Sequence, residues 1–354
     1  MQSFVYNGLP ARVLFGSGTR SQLRSEIERA KCTRALVLGT PEQKASAQEL
    51  AHSLGALAVG TFTEAAMHTP VDITERALRI VDEVKADCTV AVGGGSTIGL
   101  GKAIALRTDL VQFAIPTTYA GSEMTPIIGE TRDGAKTTQR TLKVLPEVVI
   151  YDVDLTLTLP PKMSATSGMN AIAHAVEALY AQDRNPVMSL MAEDAVRALA
   201  RALPVIVANP KDHDARSEAL YGAWLCGMCL GSVGMALHHK LCHVLGGSFD
   251  LPHAETHTVV LPHAFAYNAA VAPEAAERLV RALGGTDAAT DLFELSGKLG
   301  APRSLKSLGM PEDGIDRAAD IAVKDPYWNP RPIERDAIRD LIARAWAGEL
   351  PLRS

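Results

Sequence analysis

The chain has 354 residues, of which 47% are hydrophobic and 21% charged, and its formal net charge is −5. Such a length predicts two domains with sizeable cores, and the acidic balance gives no reason to expect nucleic acid or an anionic membrane surface as a partner. Five cysteines in a long chain, and an N-terminus without an apolar core or early basic cluster, predict a cytoplasmic protein with reduced thiols.

The first 160 residues alternate between strand-like and helix-like patterns. Predicted strands cover residues 4–6, 12–15, 35–38, 58–62, 89–92, 112–115 and 147–151, and predicted helices 20–30, 43–54, 71–85 and 99–106. The first two runs flank Asn7-Gly8-Leu9-Pro10 and predict a hairpin or crossed strands. Alternation of this kind predicts a Rossmann-like α/β domain over residues 1–160, with a parallel sheet that binds ligands at its carboxyl edge.

Beyond Pro160-Pro161 the strand signals almost vanish. Helices are predicted at residues 164–181, 186–203, 215–230, 233–245 and 254–270, and helical patterns continue to the end. This predicts an all-α domain over residues 161–354. Residues 219–237 carry no charge and are long enough to span a bilayer, but we interpret them as a central buried helix, with Cys226 and Cys229 on its face. The proline-rich, aromatic segment 324–332 is predicted to be a rigid loop that lines a site.

Two loops predict a nucleotide site. Gly93-Gly94-Gly95-Ser96 joins a strand to a helix, so that backbone N–H groups and the helix dipole could hold a phosphate, although a plain tight turn is the alternative. A second hydroxyl-rich loop follows the strand at 112–115. The predicted cofactor-binding residues are Gly39, Thr40, Gly93, Gly94, Gly95, Ser96, Thr117, Thr118 and Ser122. Because no Asp ends the strand at 35–38, where Glu42 is the nearest acid, both NADH and NADPH remain open.

A stretch at residues 236–263 holds six of the ten histidines: His238, His239, His243, His253, His257 and His263. His239 and His243 share one face of a helix that Gly246-Gly247 is predicted to end, and His253 stands where a second helix could start. Any one of these residues is explained as a surface or hydrogen-bonded core histidine. As a cluster they predict a site, because neutral imidazoles serve as metal ligands, proton donors and anion partners near pH 7.

Motifs spread along the whole chain resemble those of one known family. They are the GGGS loop at 93–96, IPTT and GSE within 115–123, GMNAIAHAVE at 168–177, and the histidine stretch. Together they resemble the iron-type alcohol dehydrogenase superfamily, and the start FVYNGLPARVLFGSGT and the late YWNPRP resemble its maleylacetate-reducing members. The resemblance implies a dehydroquinate synthase-like fold, a homodimer, and NAD(P)H-dependent reduction of maleylacetate, a small dicarboxylate, to 3-oxoadipate in bacterial breakdown of aromatic compounds.

Two departures from the family pattern affect the predicted site. The family's metal ligands are Asp and His four residues apart followed by two further histidines, and the matching positions here are Asn170, His174, His239 and His253. The only anionic ligand is therefore missing, and we predict that no metal is required. In addition, Gly99 stands where the family's GGGSxxDxxK motif has Asp.

Maleylacetate is an enone, a ketone conjugated to an alkene, and the chemistry of its reduction suggests roles for the remaining site residues. Hydride addition to the alkene carbon β to the ketone places charge on the ketone oxygen, which hydrogen-bond donors can stabilise. His243 and His253 are the predicted catalytic proton donors. The predicted substrate-binding residues are Asn170, His174, His239, Lys102 and Arg331. The alternatives are a metal-dependent alcohol or aldehyde oxidoreductase of the same fold and a non-catalytic nucleotide-binding sensor.

Overall fold

The structure is a computed structural model that describes residues 4–352 of the chain. It divides into two compact units, one formed by Gly8–Leu159 and the other running from Pro160 onward together with the segment before Gly8. We propose that these units are the two domains that the sequence predicts at residues 1–160 and 161–354.

A six-stranded parallel sheet is the centre of the first unit. The strands of the unit, in chain order, are β1 (Arg12–Gly16), β2 (Ala35–Leu38), β3 (Ala58–Phe62), β4 (Cys88–Gly93), β5 (Val111–Pro116), β6 (Ile127–Arg132), β7 (Ala135–Arg140) and β8 (Val148–Asp152). β6 and β7 lie outside this sheet and pair with each other. The order in the sheet is β1-β8-β5-β4-β2-β3, and every pairing in it is parallel. β2, β4 and β8 are buried throughout, as continuous apolar runs require. The predicted Rossmann-like sheet is confirmed.

Helices cover both faces of this sheet. They are α1 (Leu23–Arg29), α2 (Lys44–Leu54), α3 (Val71–Val84) and α4 (Gly95–Thr108). Val90 and Val92 pack into one apolar cluster with residues of α1 and α2, whereas Ala91 packs into another with residues of α3 and α4. This alternation follows from the period of two along a strand, and it leaves the strand ends at the carboxyl edge free to carry loops.

Two predictions about strands near the N-terminus are wrong. Residues 4–6 form no strand, and β1 pairs in parallel with β8 instead of forming a hairpin. Pro10 lacks an N–H, and β8 supplies the partner that β1 needs. The antiparallel hairpin of β6 and β7 was not predicted. Its signal is Asp133-Gly134, whose φ values of 51° and 76° suit a tight hairpin turn.

The second unit is helical. Its helices are α5 (Pro161–Ala178), α6 (Pro186–Ala208), α7 (His213–Ser232), α8 (Leu237–Phe249), α9 (His253–Ala269), α10 (Pro273–Leu283), α11 (Ala288–Lys298), α12 (Gly314–Ala322) and α13 (Arg335–Ala347). α5 is buried along most of its length, and it packs against α6, α7 and α9. α8 packs against α9 and α12. The predicted all-α part is therefore confirmed, and the central position of α5 places the Asn170–Glu177 motif in the core.

The end of α8 differs from the prediction. Gly246 and Gly247 do not end the helix, which continues to Phe249. The residue with left-handed backbone is Asp250, with φ 51° and ψ 36°, because a short polar side chain tolerates that conformation. Two glycines that keep helical dihedrals cost some helix stability but do not terminate the helix.

Most of the uncharged run at 219–237 lies in α7, which ends at Ser232, and only Leu237 belongs to α8. Among the described residues, no single helix is both long and apolar enough to cross a membrane. α7 and α8 taken as a pair meet the criteria of length and composition, but a bend of 94° separates them.

Candidate functional site

Three loops of the first unit carry the predicted nucleotide site, and they follow the neighbouring strands β2, β4 and β5. The backbone N–H of Thr117 donates to the carbonyl of Gly93 over 3.0 Å. The Gln43 side chain lies among all three loops, with Nε2 donating to Thr117 Oγ1 at 3.3 Å and Oε1 accepting from Thr40 Oγ1 at 3.4 Å and from Thr97 Oγ1 at 3.5 Å. Sequence reasoning missed Gln43, because a glutamine at the start of a helix gives no signal by itself.

The glycine loop is shaped for close approach of an anion. Gly93 has φ +156°, and a Cβ there would lie 2.5 Å from Gln43 Oε1 and from Thr97 Oγ1. Gly94 lies against the Thr118 side chain, where a Cβ would be 3.0 Å from Cγ2. α4 begins at Gly95, so its unpaired N–H groups and positive dipole end lie at this edge. The loop can hold a phosphate group through the backbone. Ser122 starts a short turn after Gly121, whose φ is +79°.

Lys102 is not placed to meet a substrate. It is 1% exposed, and its Nζ donates to the carbonyls of Thr125 and Ile127 and to Thr125 Oγ1, each over 2.8 Å. An ammonium has three donors, and all are used within the protein. Burial lowers the pKa of Lys102 to about 7, and buried Glu123 opposes that shift. We therefore propose that Lys102 fixes the turn after β5 rather than binding the dicarboxylate.

The structure gives a physical reason for Gly99. A Cβ at this position of α4 would overlap the hydroxyl of Thr69. Thr69 is held in place, because its carbonyl accepts from the N–H of Thr131 at 3.2 Å. Thr69 therefore occupies the space into which the Asp of the family motif would project.

Restoring a side chain at this position should destabilise the first unit. We expect Gly99→Ala to lower the free energy of unfolding by about 1–3 kcal/mol, the usual cost of overpacking. Gly101→Ala on the same helix is the matched control, since its Cβ would lie 3.5 Å from Ala91 Cβ. Urea unfolding followed by circular dichroism measures both. Adding Thr69→Ala should recover most of the loss, and a Gly99→Ala protein as stable as the wild type would contradict this explanation.

Six imidazoles come together in the helical unit. Ring centroids are 5.2 Å apart for His174 and His239, 4.8 Å for His238 and His257, 5.0 Å for His239 and His257, 4.3 Å for His253 and His257, and 6.3 Å for His239 and His243. We call these six rings the imidazole cluster. Its members are His174 on α5, His238, His239 and His243 on α8, and His253 and His257 on α9. His263 lies apart, with its ring 6.2 Å from that of Phe293. The histidine stretch therefore supplies five members and α5 the sixth.

Glu177 organises the cluster. It is fully buried, and its carboxyl oxygens accept from the backbone N–H of Ala236 at 2.9 Å and of His238 at 2.7 Å, at the start of α8. The same carboxyl group is 2.6 Å from Nδ1 of His239. Glu177 therefore both caps α8 and fixes the orientation of the His239 ring. Sequence reasoning assigned it no role, although it lies one helical turn beyond His174 and so shares its face.

The inner imidazoles are neutral at pH 7. Burial lowers the pKa of His174, His238 and His257 well below the ordinary value, and neighbouring imidazoles lower it further. Asn170 Oδ1 and His239 Nε2 are buried and have no hydrogen-bond partner among the described residues. Buried polar atoms without a partner are costly, so these two atoms mark places where a ligand group would be stabilised.

His243 and His253 form the exposed side of the cluster. His243 Nδ1 is 2.9 Å from the hydroxyl of Tyr327, which lies in the predicted loop at 324–332. His253 is the first residue of α9. Both histidines are exposed, so both can meet a ligand from solvent.

Residues of the helical core anchor the loop that carries Tyr327. Asn329 exchanges two side-chain hydrogen bonds with Asn268 on α9, at 2.7 and 2.9 Å. Arg331 donates from Nη1 to the carbonyl of Tyr267 at 3.0 Å, and its guanidinium lies 4.1 Å from the centre of that ring. The predicted rigid loop therefore contacts the imidazole cluster, while Arg331 packs on α9.

The four positions that match the family's metal ligands do not fit a tight iron site. Asn170 contributes a neutral amide oxygen, so that the set of Asn170, His174, His239 and His253 contains no anion. Within residues 4–352, ligand atoms lie within 4.8 Å of one another in two groups, Cys32/Asp87/Cys88 and His238/Cys242/His257, and neither includes these four.

The comparisons with known proteins agree with this geometry. The iron-containing alcohol dehydrogenase model matches residues 10–153, and that of the C-terminal part of the Fe-containing alcohol dehydrogenase family matches residues 164–346. The chain therefore belongs to the iron-containing alcohol dehydrogenase family, whose oxidoreductase class and fold it shares, and the resemblance seen in the sequence is confirmed.

Within that family its relatives are maleylacetate reductases. The chain is 60% identical over 349 residues to maleylacetate reductase of Sphingobium indicum, with 99% of each protein covered. Crystal structures of maleylacetate reductases from Agrobacterium tumefaciens and Rhizobium sp. are 57% and 56% identical, each with a TM-score of 0.97 and covering 99% of this chain and 100% of theirs. A 1,3-propanediol oxidoreductase of 27% identity has a TM-score of 0.91 over 98% of this chain and 100% of its own.

Proposed function

We propose that this protein reduces the conjugated double bond of maleylacetate with NADH or NADPH, giving 3-oxoadipate, and that it does so without a metal. The observation that carries this proposal is the loss of the anionic ligand at Asn170 in a site that keeps every histidine. An unactivated alcohol needs strong polarisation of its oxygen, as a metal provides. An alkene conjugated to a ketone is already activated, so neutral hydrogen-bond donors suffice.

The reaction needs one hydride and one proton. Hydride passes from the nicotinamide to the alkene carbon β to the ketone, and the π electrons move onto the ketone oxygen to form an enolate. The neighbouring carbon then takes a proton, and the products are the oxidised cofactor and 3-oxoadipate. The protein must therefore stabilise one oxygen anion and deliver one proton.

We assign the proton delivery to His243 and His253, because they are the exposed members of the imidazole cluster. The hydroxyl of Tyr327, 2.9 Å from His243 Nδ1, orients the His243 ring. His253 stands at the N-terminus of α9, where the helix dipole favours an anion beside it. In this proposal one histidine donates to the enolate oxygen and the other protonates carbon.

The substrate contacts that we propose are Asn170, His174 and His239. Asn170 and His239 each present a buried atom that lacks a partner among the described residues. The Glu177 carboxyl group, 2.6 Å from Nδ1, fixes the His239 ring and leaves Nε2 for a substrate group. Arg331 remains a proposed anion contact through the guanidinium N–H groups other than Nη1.

The nucleotide loops are proposed to hold the pyrophosphate of the cofactor. Glu42 is the first acidic residue after the end of β2, and it is exposed. No Asp stands at that strand end to repel a 2′-phosphate. We therefore propose that both NADH and NADPH serve.

A metal-dependent alcohol or aldehyde oxidoreductase is the competing function. It is favoured by one observation, the carboxyl of Glu177 behind His239, since metal-bound histidines usually have such a partner. The two functions differ in substrate as well as in metal requirement. Simple aldehydes and primary alcohols should give no turnover above background if our proposal is correct.

The direct test is oxidation of NADH and of NADPH by the purified protein with maleylacetate, together with identification of the product. We expect both cofactors to be consumed one for one with 3-oxoadipate. Product that keeps the double bond and carries a new alcohol would show that the ketone is the group reduced. Activity with aldehydes alone would favour the metal-dependent function.

We also propose a cytoplasmic homodimer. Phe4, Val5 and Tyr6 are 46%, 78% and 42% exposed, and a run of exposed apolar side chains suits a protein partner. The five cysteines are free and buried, as in a reducing compartment. Light scattering should give twice the chain mass of 37.6 kDa, and a monomer mass would contradict the dimer.

A further inference from the structure

A second group of ligands lies inside the imidazole cluster and shares no residue with the family's metal positions. His238 and Cys242 are one turn apart on α8, and His257 faces them from α9. His238 Nε2 is 3.0 Å from His257 Nδ1 and 3.7 Å from Cys242 Sγ. The three ligand atoms lie within 4.8 Å of one another, and all three residues are buried. We call these residues the thiol–imidazole triad.

The spacing suits a tetrahedral zinc ion. Zn–N distances of about 2.0–2.1 Å and a Zn–S distance of about 2.3 Å place two nitrogens about 3.3 Å apart and nitrogen about 3.6 Å from sulfur. The two distances from His238 Nε2, to His257 Nδ1 and to Cys242 Sγ, differ from these values by only a few tenths of an ångström. Thiolate and imidazole are also the donors that Zn²⁺ and related borderline ions prefer over Mg²⁺ or Ca²⁺.

Charge balance supports the same ion. A divalent cation with one thiolate leaves one positive charge, which is costly in a buried place unless an anion is near. Glu177 accepts from the backbone N–H of His238 at 2.7 Å, so that a carboxyl group lies beside the triad. Cys242 would supply, once its proton is displaced by the ion, the anionic ligand that Asn170 no longer provides.

We propose that His238, Cys242 and His257 form a binding site for Zn²⁺ that is separate from the catalytic groups. Binding forms two Zn–N bonds and one Zn–S bond and releases the thiol proton, while the proton between the two imidazoles moves to an outer ring nitrogen. The fourth position of the ion is left for water. The His253 side chain is exposed, and its ring centroid is 4.3 Å from that of His257, so the site lies one side chain from the surface.

Titration of the metal-free full-length protein with Co²⁺ tests the site, because a cobalt–thiolate bond gives a near-ultraviolet charge-transfer band. We expect this band to saturate at one Co²⁺ per chain and to disappear when Zn²⁺ is added. Cys242→Ala should remove the band and weaken Zn²⁺ binding at least about 100-fold, since even indirect partners of a metal site contribute 10–100-fold. Cys229→Ala, which removes another buried thiol, is the matched control and should keep the band.

Two further variants decide where the ion binds. His174→Ala removes a residue of the family's metal positions but none of the triad, so the band should persist. Cys242→Ser keeps the size of the side chain and serves if the alanine variant unfolds. The proposal is overturned if the wild type gives no band, if the band survives in both Cys242 variants, or if His174→Ala abolishes it while Cys229→Ala does not.

Discussion

Replacing His243 or His253 with alanine should lower kcat for maleylacetate about 10²–10⁴-fold, the usual loss when a positioned proton donor is removed. Both side chains are exposed members of the imidazole cluster, so neither change leaves a large cavity in the core. Steady-state oxidation of NADH by maleylacetate measures the loss. His52→Ala, which changes an exposed histidine of the other unit, should keep wild-type turnover.

Other results would change the assignment of these two histidines. Near-normal kcat in both variants would show that protons reach the enolate from elsewhere. If either variant instead lost binding of the cofactor, followed by nicotinamide fluorescence, that histidine would belong to cofactor binding. A fall in kcat confined to one variant would identify that residue as the single proton donor.

Glu177→Ala should have the largest effect on stability. The change leaves the N–H groups of Ala236 and His238 and the Nδ1 of His239 without their acceptor in the core. Each buried donor left unpaired costs about 1–3 kcal/mol, so the loss for three donors should be at least about 3 kcal/mol. Urea unfolding followed by tryptophan fluorescence measures it, because Trp224, Trp328 and Trp346 all lie in the helical unit.

Two comparisons make the Glu177 experiment specific. Glu277→Ala on α10 removes an exposed carboxyl group and should change stability by less than about 0.5 kcal/mol. Glu177→Gln keeps one oxygen acceptor and the shape of the side chain, and so should lie between the wild type and the alanine variant. Equal stability of the Glu177→Ala and Glu277→Ala proteins would show that α8 does not depend on this cap.

Much of the fold follows from local patterns. The strand at 35–38 is a continuous apolar run followed by Gly39 and Pro41, so its composition and length identify it. The segment at 4–6 has the same appearance but forms no strand, because strand formation depends on which partner lies alongside. The end of α8 was misplaced for a related reason: Gly246-Gly247 permits a left-handed cap but does not require one, and the left-handed residue is Asp250.

Residues of the site were predictable from the sequence only where residues of one type recur close together along the chain. Histidines at one-turn spacing indicate a cluster, and glycines after a strand indicate an anion loop. Gln43, Glu177 and Thr69 gave no such signal, since each acts through residues distant in sequence. For Lys102 the sequence suggested a role that the structure does not support. A lysine in a family motif is a natural partner for a dicarboxylate, but the Lys102 ammonium already donates to three acceptors within the protein.

In the mechanism that we propose, a conjugated alkene is reduced without a metal. The measurement that tests it is the rate of NADH oxidation with maleylacetate by protein stripped of metal with a chelator, with elemental analysis of the same sample. We predict that the stripped protein keeps its full rate and that added Fe²⁺ or Zn²⁺ does not increase it. Activity that is lost with the metal and restored by its return would contradict the account and establish the metal-dependent alternative.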